Sequence, residues 1–165
     1  LPDISLFATG MDWLSKNQLA ICTYTGEVWI VENATGPVNQ MKFRRYARGM
    51  NEPMGLLVKD GKIHLGNKAE LTRLSDTDND GEADLFERVC SDWDYTGSYN
   101  SFSYGPVLDL KGNFVLANAG HAGHWGARNM GWALRIAPGD RCAIDSPTRL
   151  ENAPGNKKPT VYSHR

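Results

Sequence analysis

Short runs of alternating apolar and polar residues, broken by tight polar turns, fill most of this chain. Gly10-Met11-Asp12-Trp13-Leu14 leads through Ser15-Lys16-Asn17 into Gln18 to Tyr24, then across Thr25-Gly26 into Glu27 to Val31. A period of two in residues rich in Val, Ile, Trp and Tyr predicts β-strands joined by hairpin turns. The same order returns in Met54 to Val58, Lys59-Asp60-Gly61, Lys62 to Gly66 and Glu70 to Leu74. It returns again in Gly105 to Asp109, Lys111-Gly112, Asn113 to Ala117 and, after a longer insertion, Gly131 to Ile136. Lys42 to Ala47 and Leu85 to Val89 supply an outer fourth strand to the first two units.

Gly10, Gly55 and Gly105 open the three units, in steps of 45 and 50 residues. About four strands at such a period is the signature of a β-propeller blade. The expectation is therefore an all-β propeller segment of about three four-stranded blades, over residues 8–50, 51–100 and 101–150, with 151–165 as a connecting tail. Closed propellers carry about four to eight blades. The expected partners are then the rest of a longer chain or other protein subunits, which would complete the ring and cover exposed sheet faces and edges.

One stretch stands out chemically. Asp76-Thr77-Asp78-Asn79-Asp80-Gly81-Glu82-Ala83-Asp84-Leu85-Phe86-Glu87 holds six of the nineteen acidic side chains. Such crowding of carboxylates is unfavourable unless a cation neutralises them. Counted from Asp76, side-chain oxygens fall at positions 1, 3, 5, 9 and 12, a backbone carbonyl at position 7 and a glycine at position 6, as in an EF-hand calcium loop. Asp76, Asp78, Asp80, Glu82, Asp84 and Glu87 are the candidate metal residues. An EF-hand has helices on both sides, but Leu71 to Leu74 and Phe86 to Cys90 alternate as strands do. The loop is thus expected to be a calcium-clamped connection between the third and fourth strands of the second unit.

Composition narrows the setting. A net charge of −1 gives no indication of nucleic acid or a charged membrane surface as partner, and no apolar run is long enough to span a bilayer. Leu1-Pro2-Asp3-Ile4 has neither the basic region nor the apolar core of a signal peptide. Cys22, Cys90 and Cys142 show no metal spacing and suit one disulfide plus one buried thiol, with Cys90–Cys142 as the expected pair. A calcium loop is filled where calcium is abundant, which favours a periplasmic or extracellular protein.

Other residues carry open alternatives. His121 and His124, in Ala119-Gly120-His121-Ala122-Gly123-His124-Trp125-Gly126, are loop histidines, contacts to a substrate or cofactor, or part of a metal site. Arg128 and Asn129 beside them can bind an anionic group or cap the loop. Trp13, Trp29 and Trp132 are expected to pack between blades. Trp93, Tyr95 and Tyr99 lie in a loop that can serve as an aromatic platform for carbohydrate.

Gly10-Met11-Asp12-Trp13, Gly26-Glu27-Val28-Trp29, Asn51-Glu52-Pro53-Met54-Gly55-Leu56, Glu70 to Leu74 with the acidic loop, and Gly131 to Gly139 together carry a resemblance. The chain resembles, over nearly its whole length, the propeller domain of planctomycete-type membrane-bound dehydrogenases, which are similar to soluble quinoprotein glucose and sorbosone dehydrogenases. The resemblance implies a six-bladed propeller that binds pyrroloquinoline quinone near its axis and oxidises a sugar or alcohol. In that chemistry calcium polarises the quinone and a histidine removes the hydroxyl proton. The family motif Tyr-His-Glu-Phe stands here as Tyr99-Asn100-Ser101-Phe102. An asparagine holds a hydroxyl by hydrogen bonds but accepts no proton at neutral pH, which leaves His121 or His124 as the base. The resemblance thus implies Asn100, His121 and His124 as catalytic candidates and Tyr99 and Arg128 as cofactor contacts. The alternative is a non-catalytic propeller that keeps the calcium and acts as a scaffold or binding module.

Overall fold

The computed structural model describes residues 6–97, 100–120, 129–137 and, as backbone, 148–149. It is all-β, with one short turn of 3-10 helix at Val38–Gln40 and no α-helix among the described residues. Three antiparallel sheets follow one another along the chain, each a meander in which successive strands are neighbours. The first holds β1 (Ala8–Ser15), β2 (Gln18–Thr23), β3 (Glu27–Glu32) and β4 (Lys42–Arg48). The second holds β5 (Leu56–Lys59), β6 (Lys62–Gly66), β7 (Leu71–Ser75) and β8 (Leu85–Cys90). The third holds β9 (Phe102–Leu108), β10 (Phe114–Ala119), β11 (Trp132–Ile136) and the two-residue β12 (Thr148–Arg149).

Local sequence explains the hairpins. Lys59 pairs with Lys62, so β5 and β6 are joined by Asp60-Gly61 alone. Both residues have positive φ, 52° and 73°, the conformation that matches the twist of a two-residue hairpin and that an Asp-Gly pair adopts readily. Alternation then decides what each strand buries. Ala20, Cys22, Val28 and Ile30 of the first sheet pack against Leu56, Ile63, Leu65 and Leu74 of the second. Leu71 and Cys90 of the second sheet pack with Phe114, Leu116, Leu134 and Ile136 of the third. Each fully buried large apolar side chain contributes roughly 1.5–3 kcal/mol to holding the stack together. The second sheet is covered on both faces, and four of the five residues of β6 are buried.

The first strands of the three sheets lie side by side, β1 against β5 and β5 against β9. There backbone meets backbone. A β-carbon on Gly10 would stand 2.6 Å from the Leu56 nitrogen, and one on Gly55 only 2.2 Å from the Gly105 carbonyl oxygen. Polar groups close the same joints. The Val58 amide donates to Asp12 Oδ2 at 2.8 Å, Thr9 Oγ1 donates to the Pro53 carbonyl at 2.6 Å, and Lys59 Nζ donates to the Gly112 carbonyl at 3.1 Å.

Several aromatic residues lie elsewhere than the alternation predicts. Trp132 packs against the second core, but Trp13 is 49% exposed on the outer face of the first sheet, where no described sheet covers it. Trp93, expected on a loop surface, is 3% exposed and donates from Nε1 to Ser103 Oγ at 3.0 Å. Its loop folds inward because the indole completes the core between the second and third sheets. Tyr95 remains exposed.

Candidate metal centre

The acidic stretch leaves β7 at Ser75 and rejoins the sheet at Leu85, so it connects the third and fourth strands of the second sheet. Asn79 and Gly81 take positive φ, 62° and 96°, and curl the chain over a few residues. The curl is held from inside. The Gly81 amide donates to Asp76 Oδ2 at 2.9 Å, the Asp80 amide to Asp78 Oδ1 at 3.3 Å, and the Glu82 amide to Asp80 Oδ1 at 2.8 Å. Asp76, Asp78 and Asp80 each bring one carboxylate oxygen within 4.8 Å of the other two.

That separation is a chemical test. Two oxygens that bind one calcium ion at about 2.3–2.6 Å can be no more than about 5 Å apart. The three aspartates meet this limit. Asp76 Oδ1 is buried and has no hydrogen-bond partner, so the most buried of the three carboxylates keeps an oxygen free to accept a further ligand contact. Hard, flexible oxygen donors with room for water beside them suit calcium better than magnesium, which needs a tight octahedron.

The other three acids are engaged differently. Asp84 accepts from the Thr77 amide and from Thr77 Oγ1, and these bonds hold its carboxyl below the usual range. Glu82 borders a cleft with Arg45, Tyr46 and Phe86. Glu87 is already inside β8, directly across from Arg73, and takes a two-pronged ion pair from it at 2.7 and 2.9 Å. Arg73 holds the Glu87 carboxyl below its ordinary range. The structure therefore gathers positions 1, 3 and 5 of the loop, while Glu87 at position 12 faces a guanidinium.

The loop also reaches across to the first sheet. The Ala83 amide donates to the Tyr46 carbonyl at 2.7 Å, and Ala83 packs on the core between the first two sheets. The Arg44 guanidinium lies over Gly81, 3.1 Å from where a β-carbon would be. Burial, reinforced by Asp76, pushes the Tyr46 phenol up. The loop is thus seated on β4.

Of the remaining candidates, Asn100 is half-buried just ahead of β9. Tyr99, His121, His124 and Arg128 lie outside the described residues. Cys90 is disulfide-bonded and Cys22 is a buried free thiol, kept protonated by its burial; Cys142, the expected partner of Cys90, lies outside the described residues.

One residue went unnoticed in the sequence. His64 is 4% exposed in the joint between the second and third sheets, with its ring centroid 4.8 Å from that of Phe114 and Nδ1 3.2 Å from the Lys62 carbonyl oxygen. Burial, helped by Arg73 and Lys59, lowers its pKa to about 4, so the imidazole is neutral at physiological pH. The signal was its place in the middle unit of three, where a strand has no outer face.

No protein-family model matches the chain, and no curated protein matches it.

Proposed function

We propose that residues 76–84 hold a calcium ion and that the chain is a calcium-clamped segment of a β-propeller, working as a scaffold or binding module outside the cytosol. The observation that carries this reading is the meeting of Asp76, Asp78 and Asp80, with Asp76 Oδ1 buried and without a hydrogen-bond partner. The ion would neutralise the three carboxylates. The chain itself supplies the rest: the amides of Gly81, Asp80 and Glu82 fix the carboxylates, and Ala83 ties the loop to Tyr46, so order in the loop becomes order between two sheets. The meander sheets and their adjacent first strands support the propeller reading. The disulfide at Cys90 supports an oxidising, calcium-rich compartment. Calorimetric titration of the chelator-stripped protein with calcium tests it. Saturable binding accompanied by a higher melting temperature is expected, and absence of both would remove the site.

The second reading is a quinoprotein sugar or alcohol dehydrogenase-like domain. It is favoured by the position of the shared motifs, since Gly10, Gly55 and the Asn51–Leu56 stretch form the joints between sheets. Asn100 would then orient a substrate hydroxyl, with His121 or His124 as the proton acceptor and Tyr99 and Arg128 against the cofactor. Titration with pyrroloquinoline quinone, followed by dye reduction with a panel of sugars, separates the two readings. Binding with turnover supports the enzyme, and no binding leaves the scaffold.

A further inference from the structure

A cleft of about 530 Å³ opens where the chain crosses from the first sheet to the second, with Met50, Asn67, Glu70, Thr72, Phe86 and Arg88 in its walls. That size falls in the range of small-molecule sites, about 300–1,000 Å³. The cleft is distinct from the acidic loop, because Asn67 and Glu70 precede β7 whereas the three aspartates follow it. Register aims its walls. Arg88 lies across from Thr72 and Phe86 across from Leu74, and Leu74 packs in the core between the first two sheets, so Thr72, Phe86 and Arg88 all face the first sheet.

One wall holds a polar chain with an open end. Asn67 Nδ2 donates to Thr72 Oγ1 at 2.7 Å, and Thr72 Oγ1 donates to Glu70 Oε1 at 2.6 Å. A carboxylate only accepts, so the one hydroxyl proton of Thr72 goes to Glu70 and its lone pair takes the Asn67 amide nitrogen. That direction leaves Asn67 Oδ1 as the end of the chain, and it is buried with no partner in a residue only 4% exposed. The turn cannot swing it away, because the Asn67 amide donates to the Glu70 carbonyl at 2.8 Å and the Lys68 amide to the Asn51 carbonyl at 3.0 Å. An amide oxygen so placed calls for an N–H or O–H donor.

Charge narrows the donor. Among the described residues neither the half-buried Glu70 nor the exposed Arg88 forms an ion pair, with each other or with any neighbour. A simple anion would meet the Glu70 carboxylate, a simple cation would meet the Arg88 guanidinium, and a neutral sugar would leave both charges uncompensated. Phe86, 45% exposed, and the half-buried Met50 supply apolar surface beside them. We propose that the cleft binds a small zwitterion, an α-amino acid with an apolar side chain. Its ammonium group donates to Asn67 Oδ1 and Glu70, its carboxylate accepts from Arg88, and its side chain lies on Phe86 and Met50. This names a ligand class for the binding-module part of the proposed function and rests on that part alone, not on calcium.

Calorimetric titration of the full chain with leucine, in calcium and in chelator, tests it. Saturable binding of the same affinity in both buffers is expected. 3-Methylbutylamine and 4-methylpentanoate, which each keep one charge, and glucose should all bind at least tenfold more weakly. Asn67→Ala removes the buried oxygen together with the bond to Thr72, so Glu70→Gln and Arg88→Gln, which alter less buried side chains, carry the test. Each should weaken leucine binding at least tenfold while the melting temperature of the free protein is unchanged. No leucine binding overturns the proposal, even where calcium still binds and the scaffold stands. So does glucose or either single-charge analogue binding as tightly as leucine, or leucine binding that both variants leave intact, the result expected if Asn67 Oδ1 holds only water.

Discussion

The β-carbon that Gly55 lacks would stand 2.2 Å from the carbonyl oxygen of Gly105, so the second and third sheets touch through bare backbone. No side-chain rotation can relieve that contact. Gly55→Ala should therefore lower stability by about 1–3 kcal/mol or more, because the strands must separate to admit a methyl group. Gly61→Ala is the control: its φ is 73° but nothing lies within 4 Å, so its loss should stay near the left-handed strain of roughly 1–2 kcal/mol. Urea unfolding of both variants decides the point, and equal losses would show that the joint is looser than its geometry.

Asp12 joins the first two sheets by accepting the Val58 amide at 2.8 Å, and it also accepts the Trp13 amide at 2.8 Å. Asp12→Ala strands the Val58 donor and should destabilise by about 1–3 kcal/mol. Asp12→Asn keeps an acceptor oxygen and should retain most of the stability. If the two variants unfolded at the same urea concentration, the bond to Val58 would not matter.

His64 makes stability depend on pH. Its unfolded-state pKa is near 6.5 and its folded pKa about 4, so as pH falls below about 6.5 the unfolded chain takes up a proton that the folded chain refuses. Stability should be highest above pH 6.5 and decline toward pH 4 by up to about 3 kcal/mol. Burial, with Arg73 and Lys59 beside it, keeps the imidazole neutral, while the stability contributed by paired carboxylates such as Glu87 and Asp109 is lost only as pH falls below the ordinary carboxylate range toward their depressed folded pKa values. His64→Leu should flatten the curve between pH 6.5 and 4. An unchanged slope in that variant would assign the acid sensitivity elsewhere.

Much of the fold was legible because its positions tolerate few residue types. Glycine recurs at 10, 55 and 105 at the close backbone contacts between sheets, and the alternation of β10 follows from its burial on one side. The acidic loop was legible by density alone. What alternation cannot say is whether the second face of a strand is covered. His64 was passed over and Trp93 read as a loop platform because burial on that side depends on a neighbouring sheet. Trp13 read as a packing residue for the same reason, although its neighbour is missing from the described stack. The partner of Glu87 was hidden too, since Arg73 lies across a strand pair whose register appears only in the folded sheet.

Glu87 also separates two accounts of how the acidic loop would hold calcium. An EF-hand loop closes its ion with both oxygens of the twelfth residue. Here that carboxylate is held by Arg73 Nε and Nη2, and Asp76, Asp78 and Asp80 meet without it. Asp78→Asn should therefore weaken calcium binding at least tenfold and erase the calcium-dependent rise in melting temperature. Glu87→Gln should leave calcium affinity within about threefold and remove only the half-exposed pair with Arg73, worth about 1 kcal/mol or less. Because Ala83 and Gly81 seat the loop on Tyr46 and Arg44, losing the ion should loosen the joint between the first two sheets before the joint that holds His64. Hydrogen exchange with and without chelator measures that order: faster exchange in β4 and β7 with β10 unchanged is expected. A large loss of affinity in Glu87→Gln would instead mean that the loop releases Glu87 from Arg73 to complete the shell around the ion.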